Sequence, residues 1–275
     1  MYPLFKDFVM LVAHHVKSTA SEHNKNVVPR KNASRQGGPT KVDPYLILPY
    51  AKADFKPEGG DDNRKIDGAL GLFSTKNLIR EQAAPKYRSI FAIYEMKRSE
   101  AESEQAYTQL IDYTRHIYAT QDHRRFAWGL TMCGKYVRCC LFHHDGIRAS
   151  SAIDFSNISG IKKLVTLLVH LSFCSAERLG YDTTMRRSKD GSQWEIACAD
   201  HSDSSNSNEP TWCTTTSTIL NASSVFGRHT RCYAARYEVD ERIEEGIVKD
   251  SWSLPRDKQK SGAAAAYVPD EAHNL

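Results

Sequence analysis

The stretch FAIYEMKRSE at residues 91–100 sets an acid and a base in line with an apolar run. Phe91, Ala92, Ile93 and Tyr94 read as the interior of a central strand, and Glu95 and Lys97 continue it with no turn signal. Side chains two apart on a strand share a face, so Glu95 and Lys97 project side by side beyond Ile93. Such a pair either does chemistry or ends the strand as a solvated ion pair worth roughly 0–1 kcal/mol. A further acid, Asp67, lies in KIDGALGLF at 65–73. In the plainer reading it caps a turn with Gly68.

Other reactive residue types carry less. His14 with His15 and His143 with His144 are adjacent pairs, and neighbours on a helix point about 100° apart, while HHDG at 143–146 is a turn sequence. These histidines read as surface residues. Ser99 and Ser172 lie near charged residues or histidines, but no GxSxG is present to expose a nucleophile. The cysteines at 133, 139, 140, 174, 198, 213 and 232 are odd in number and form no CxxC, so neither a zinc knuckle nor a disulfide scaffold is indicated. A reducing, intracellular setting is expected, with Cys139 and Cys140 as core or strand residues.

The elements that would hold Asp67, Glu95 and Lys97 come next. Residues 65–73 and 89–99 read as two strands, with a polar stretch at 74–88 between them. Tyr107, Leu110, Ile111, Thr114, Ile117 and Tyr118 recur at helical spacing and give one apolar stripe. FAWGLTM (126–132) and YVRCCLF (136–142) are β-prone runs around Cys133, Gly134 and Lys135, which predicts a hairpin, followed by the turn at 143–146. Ile161, Leu164, Val165, Leu168 and Leu171 predict a second amphipathic helix over the sheet. The N-terminal MYPLFKDFVMLVAHHV reads as a helix, and residues 20–43 as a long loop. Residues 199–211 are small and polar and predict a boundary; β-prone TSTILN, RCYAARYEV and EGIVKDSW follow.

At 275 residues, with 40% hydrophobic and 25% charged residues, the chain can bury a real core. Its mean hydropathy is −0.54, and no apolar run nears the roughly 18 residues of a membrane span. The net charge of +4 does not by itself imply nucleic acid, which needs basic groups gathered on one face. The clusters Arg115, His116, His123, Arg124, Arg125 and Arg186, Arg187 read as solvated surface.

An acid at the end of one strand, an ExK triplet on the next and then a helix resemble the PD-(D/E)XK nuclease-like core. Gln109 and Tyr113 in that helix also resemble the QxxxY of the nuclease domain of type I restriction subunits. The resemblance spans residues 65–118 and implies catalytic roles for Asp67, Glu95, Lys97 and Gln109. It implies magnesium held by Asp67 and Glu95, with the lysine positioning or activating water. Two positions depart from the pattern: Ile66 replaces the proline before the first acid, and Glu22 is a poor match for a first-helix glutamate.

The chain also resembles the fungal-type protein kinase family. RRFAWGLTMCGKYVRCCLFHHDGIRASSAIDF (124–155), LVHLSFCSAERLGYD (168–182), FGRHTRCYAARY (226–237) and IVKDSW (247–252) carry that resemblance. It implies that Gly227 and Thr230 belong to a nucleotide-covering loop and that Lys249 contacts ATP phosphates, though Lys249 could instead snorkel from a strand end. No HRD-type loop with its asparagine and no DFG-type metal acid occurs before Leu275, and Glu271 is the available stand-in for the pairing glutamate. The chain as given is therefore expected not to transfer phosphate, whether as a truncated gene model, a fragment or a remnant.

Together these readings give an α/β protein. Residues 1–198 form a mixed sheet flanked by helices, nuclease-like and regulatory; residues 199–211 are a polar linker; residues 212–275 form an incomplete antiparallel kinase small lobe. The function implied is the regulatory or target-binding portion of a fungal-type kinase, and the alternative is a magnesium-dependent nuclease. ATP would require a complete kinase domain. The partners implied are a protein target or downstream kinase lobe, nucleic acid under the nuclease reading, and no membrane.

Overall fold

A computed structural model describes residues 46–50, 57–60, 65–73, 86–198, 211–222, 224–239 and 242–252. The expected N-terminal helix, the loop at 20–43, His14, His15, Glu22, Glu271 and residues 199–210 lie outside the described residues. The chain divides into two compact units, Met1–Phe142 with Ile147–Thr183, and His143–Gly146 with Thr184–Leu275.

In the first unit, IFAIYEMK forms the strand Ile90–Lys97 (β3), buried along its length until Lys97, because an apolar run without Gly or Pro suits a strand covered on both faces. It lies between Gly68–Phe73 (β2), antiparallel, and Phe126–Cys133 (β4), parallel. Leu46–Tyr50 (β1) pairs antiparallel with β2. Beyond β4 come Tyr136–His143 (β5) and Gly146–Ala149 (β6), with the short Ile153–Asp154 (β7) paired to β5. Gly134 takes a φ of +61° in the predicted turn from β4 to β5, where an L side chain would be strained.

The parallel pairing of β3 and β4 needs a crossover, and the helix Ser103–Thr120 (α1) supplies it. Ser99 caps the 3-10 turn Glu100–Glu102 that leads into it with a capping box: its Oγ accepts from the Ala101 amide at 3.2 Å, and its own amide donates to Glu102 Oε2 at 3.0 Å. Leu110, Tyr113 and Ile117 of α1 pack with Ile93, Ala127, Cys140 and Phe142. On the opposite face Ala92, Tyr94, Met96, Leu130 and Met132 pack with Leu164, Leu168 and Leu171 of the helix Ile158–Phe173 (α2). The alternation of β3 thus assigns Ile93, Glu95 and Lys97 to the α1 side.

Two of the basic residues read as surface are instead buried: His116 and Arg124 are each 1% exposed. Arg124 Nη1 donates to Leu179 O and Nη2 to Phe91 O, both at 2.7 Å, and its guanidinium lies 4.3 Å over the Tyr181 ring. Five fixed donors let one arginine join a central strand to the turn after α2, which a solvated arginine could not do.

The second unit is one antiparallel sheet, Met185–Arg187 (β8), Trp194–Cys198 (β9), Thr211–Asn221 (β10), Arg231–Val239 (β11) and Arg242–Asp250 (β12), each paired to the next. Met185, Trp194, Ile196 and Tyr233, with Val248 beside them, cover one face. The division falls between Thr183 and Thr184, upstream of the polar stretch, because β9 hydrogen-bonds to β10 and draws residues 184–198 into the second sheet.

Candidate functional site

The register of β2 and β3 brings Asp67 to Glu95. Gly68 lies opposite Tyr94, so one step back along β2 sets Asp67 against the end of β3. A Cβ at Gly68 would fall 1.8 Å from Tyr94 Cζ, so only glycine lets the Tyr94 ring cross β2 at this point. Asp67 Oδ2 accepts the Met96 amide at 2.7 Å, which fixes its carboxylate against β3. Tyr113 donates from its hydroxyl to Lys65 O at 2.7 Å and holds the segment that delivers Asp67. The tyrosine of the QxxxY pair thus ties α1 to the segment before β2.

Lys97 Nζ donates to Glu95 Oε1 at 2.7 Å, but this pair is not the solvated one of the plainer reading. The side chains of Glu95 and Lys97 are 3% and 15% exposed, because the strand stays covered to its last residue. Burial pushes the Glu95 carboxyl up to about 7; the Lys97 ammonium pulls against that, and Asp67 adds to it through its charge and a carboxyl–carboxyl hydrogen bond. With both acids ionised, Glu95 Oε2 is buried without a donor among the described residues. A proton on Glu95 turns it into a donor toward Asp67. Near neutral pH about half of the Glu95 carboxyl therefore carries a proton.

Two hard carboxylates are the donor type that magnesium prefers. Among the described residues no group of three or more His, Cys, Asp or Glu side chains could hold a metal ion. Asp67 and Glu95 are two carboxylates and fall short of such a group; under the nuclease-like resemblance they would be the ones to hold a cation, with Lys97 beside them.

Sequence reasoning did not find the neighbours that the parallel pairing supplies. Thr131 lies opposite Glu95 and Cys133 opposite Lys97, and Tyr107 of α1 lies beside Thr131, Cys140 and Arg138. Thr131 Oγ1 and Gln109 Oε1 are buried without hydrogen-bond partners among the described residues. No hydrogen bond joins Gln109 to Asp67, Glu95 or Lys97. Pattern alone could have flagged Thr131, a polar residue inside an apolar strand.

The glycine-bearing loop lies between β10 and β11 of the second unit. Ala222 N donates to Thr230 O at 3.1 Å and closes its base. Gly227 has a φ of +102° and is exposed, with open space where a Cβ would stand. Its amide donates to His144 O at 2.8 Å, so that donor reaches another group only when this bond opens.

His144 is 4% exposed rather than on the surface, because its ring stacks on His229 at 4.3 Å and its Nδ1 meets Val225 O at 2.9 Å. Burial holds the His144 and His229 rings at about 4 and about 3, with Arg231 also depressing both, so both are neutral at pH 7. Lys249 sits near the end of β12, paired with Cys232 and exposed. Trp252, three residues on, donates its amide to Arg228 O at 2.9 Å and ties the end of β12 to the loop.

Residues 66–264 match the family model described as Fungal protein kinase, which is most of the chain and spans both units. No curated protein and no solved structure matches it.

Proposed function

We propose, because the chain belongs to the fungal protein kinase family, that its second unit supplies a nucleotide-covering loop and a phosphate-contacting lysine, while the residues before it serve a regulatory or target-binding role. The partner is a protein target or a downstream kinase lobe. The observation that carries this reading is the order strand, glycine-bearing loop, strand, strand, with Lys249 on the last. Gly227 and Thr230 stand in the loop, and Lys249 is exposed at the strand end tied to it. When bound, ATP would supply the phosphates for the loop amides and the Lys249 ammonium. The loop is closed in this form by the His144 stack, so nucleotide entry requires the Gly227 amide to leave His144 O.

No HRD-type loop with its asparagine and no DFG-type acid is read in these 275 residues, so the reading assigns them nucleotide contact and not phosphate transfer. Calorimetry with ATP and magnesium tests the reading. Binding that Lys249→Ala weakens at least tenfold, with no label transferred to any acceptor, is expected. Equal binding by parent and variant, or phosphotransfer by this chain, would overturn it.

A second reading is favoured by one observation, the convergence of Asp67 and Lys97 on the buried Glu95. It is magnesium-dependent cleavage of nucleic acid. When bound, magnesium would polarise the phosphate and acidify a water. Asp67 and Glu95 would hold the cation, Tyr113 fixes the Asp67 segment, and Lys97 would hold the attacking water. Incubation of DNA and RNA with magnesium or manganese decides: nicking that Glu95→Ala abolishes supports it, whereas an intact substrate or an unchanged rate in the variant removes it.

A further inference from the structure

We infer that Cys198 and Cys213 are a redox-responsive dithiol that closes to a disulfide between β9 and β10. Thr211 lies opposite Cys198 and Cys213 opposite Ile196, so the two cysteines share one face of the sheet as diagonal neighbours. Their sulfurs are 3.1 Å apart, against a bond length of about 2.05 Å, a gap that side-chain rotation with a small closing of the two strands spans.

The other adjacent pair has no such option. Cys139 and Cys140 are consecutive on β5 and fall into opposite cores, so their thiols point apart. Cys198 is partly exposed and Cys213 is 5% exposed, which orders the steps. An oxidant reaches Cys198 first. Burial holds the Cys213 thiol up, so it waits as the resolving partner.

The oxidant class is a hydroperoxide. The Cys198 sulfur attacks the peroxide O–O bond and becomes a sulfenic acid, releasing an alcohol or water. The Cys213 sulfur then attacks that sulfenic sulfur, an S–S bond forms, its S–O bond breaks and water leaves with the Cys213 proton. Two electrons pass from the sulfurs to the peroxide, and residues 199–212 become enclosed in a ring.

The test treats the full chain with hydrogen peroxide and measures intact mass, thiol count after denaturation, and a peptide map. A loss of about 2 Da for the two hydrogens, two fewer thiols, and a Cys198–Cys213 linked peptide that dithiothreitol reverses are expected. Cys213→Ser should leave a sulfenic acid on Cys198 that a cyclic diketone labels. An unchanged thiol count, a bridge between other cysteines, or loss of two thiols in Cys213→Ser overturns the inference.

Discussion

The two units treat polar groups in opposite ways. The first seals them in: Arg124, Gln121 and Glu95 are buried, the first two tied to carbonyls more than thirty residues away and Glu95 to Lys97 two residues on. Gln121 Nε2, for instance, donates to both Tyr87 O and Ile90 O at 2.6 Å. The second unit keeps most of its charge in water. Its strand β12 leaves Ile243 and Ile247 75% and 71% exposed, and polar burial is concentrated near the glycine-bearing loop. A sheet held by its ladder and one apolar face tolerates change at its outer face, whereas a desolvated donor depends on one geometry.

That contrast breaks first at Arg124. Arg124→Met leaves Phe91 O and Leu179 O without their donor and should cost the first unit about 3–5 kcal/mol. Urea denaturation followed through Trp128, the one tryptophan in the first unit, reads the loss. A cost no larger than that of a surface change would erase the distinction between the units.

Glu95 sharpens the contrast through pH. Its pKa rises from 4.5 to about 7 on folding, so the folded state keeps a proton that the unfolded chain releases. Stability from this group is full below pH 4.5 and is lost as pH rises through 7, by about 3 kcal/mol. Glu95→Gln should remove that slope between pH 5 and 8. An unaltered slope would mean that Glu95 is already ionised in the fold.

The histidines of the second unit slope the other way. His144 and His229 fall from 6.5 to about 4 and about 3, so their contribution is full above pH 6.5 and is lost as pH falls through 4. His229 has a φ of +43°, a region asparagine tolerates, so His229→Asn should cost about 1 kcal/mol at pH 7 and flatten the acid limb. Acid melts followed by tryptophan fluorescence check this. Smallest of all, Ile247→Thr on β12 should stay within about 0.5 kcal/mol of the parent by urea titration. A larger loss would show that the exposed face is covered in solution.

Local pattern carried much of the fold. The apolar stripe from Tyr107 to Tyr118 became α1, the leucines from 164 to 171 became the buried side of α2, and the β-prone runs after the polar stretch became β10, β11 and β12. Asp67 meets Glu95 because the antiparallel register of β2 and β3 sets the start of one strand against the end of the other, and Lys97 follows two residues on along β3.

What escaped was non-local. Nothing near His144 announces that its ring nitrogen will meet Val225, 81 residues away. Arg124 sits among five basic or histidine residues and looks like surface until two distant carbonyls claim it. The strand β8 is three residues long with two exposed arginines, so it offers no periodicity to read. Thr131 joins the site only through a parallel register that a crossover helix sets.

The Arg124 clasp also sets an order in time. It spans 33 residues back to Phe91 and 55 forward to Leu179, so it cannot close until α2 and the turn beyond it have been delivered. Contacts of that sequence separation form after the entropy of closing their loops has been met, on the native side of the folding barrier. Arg124→Met should therefore shorten the life of the folded first unit more than it slows its formation, with the unfolding limb of a chevron raised and the refolding limb almost unmoved.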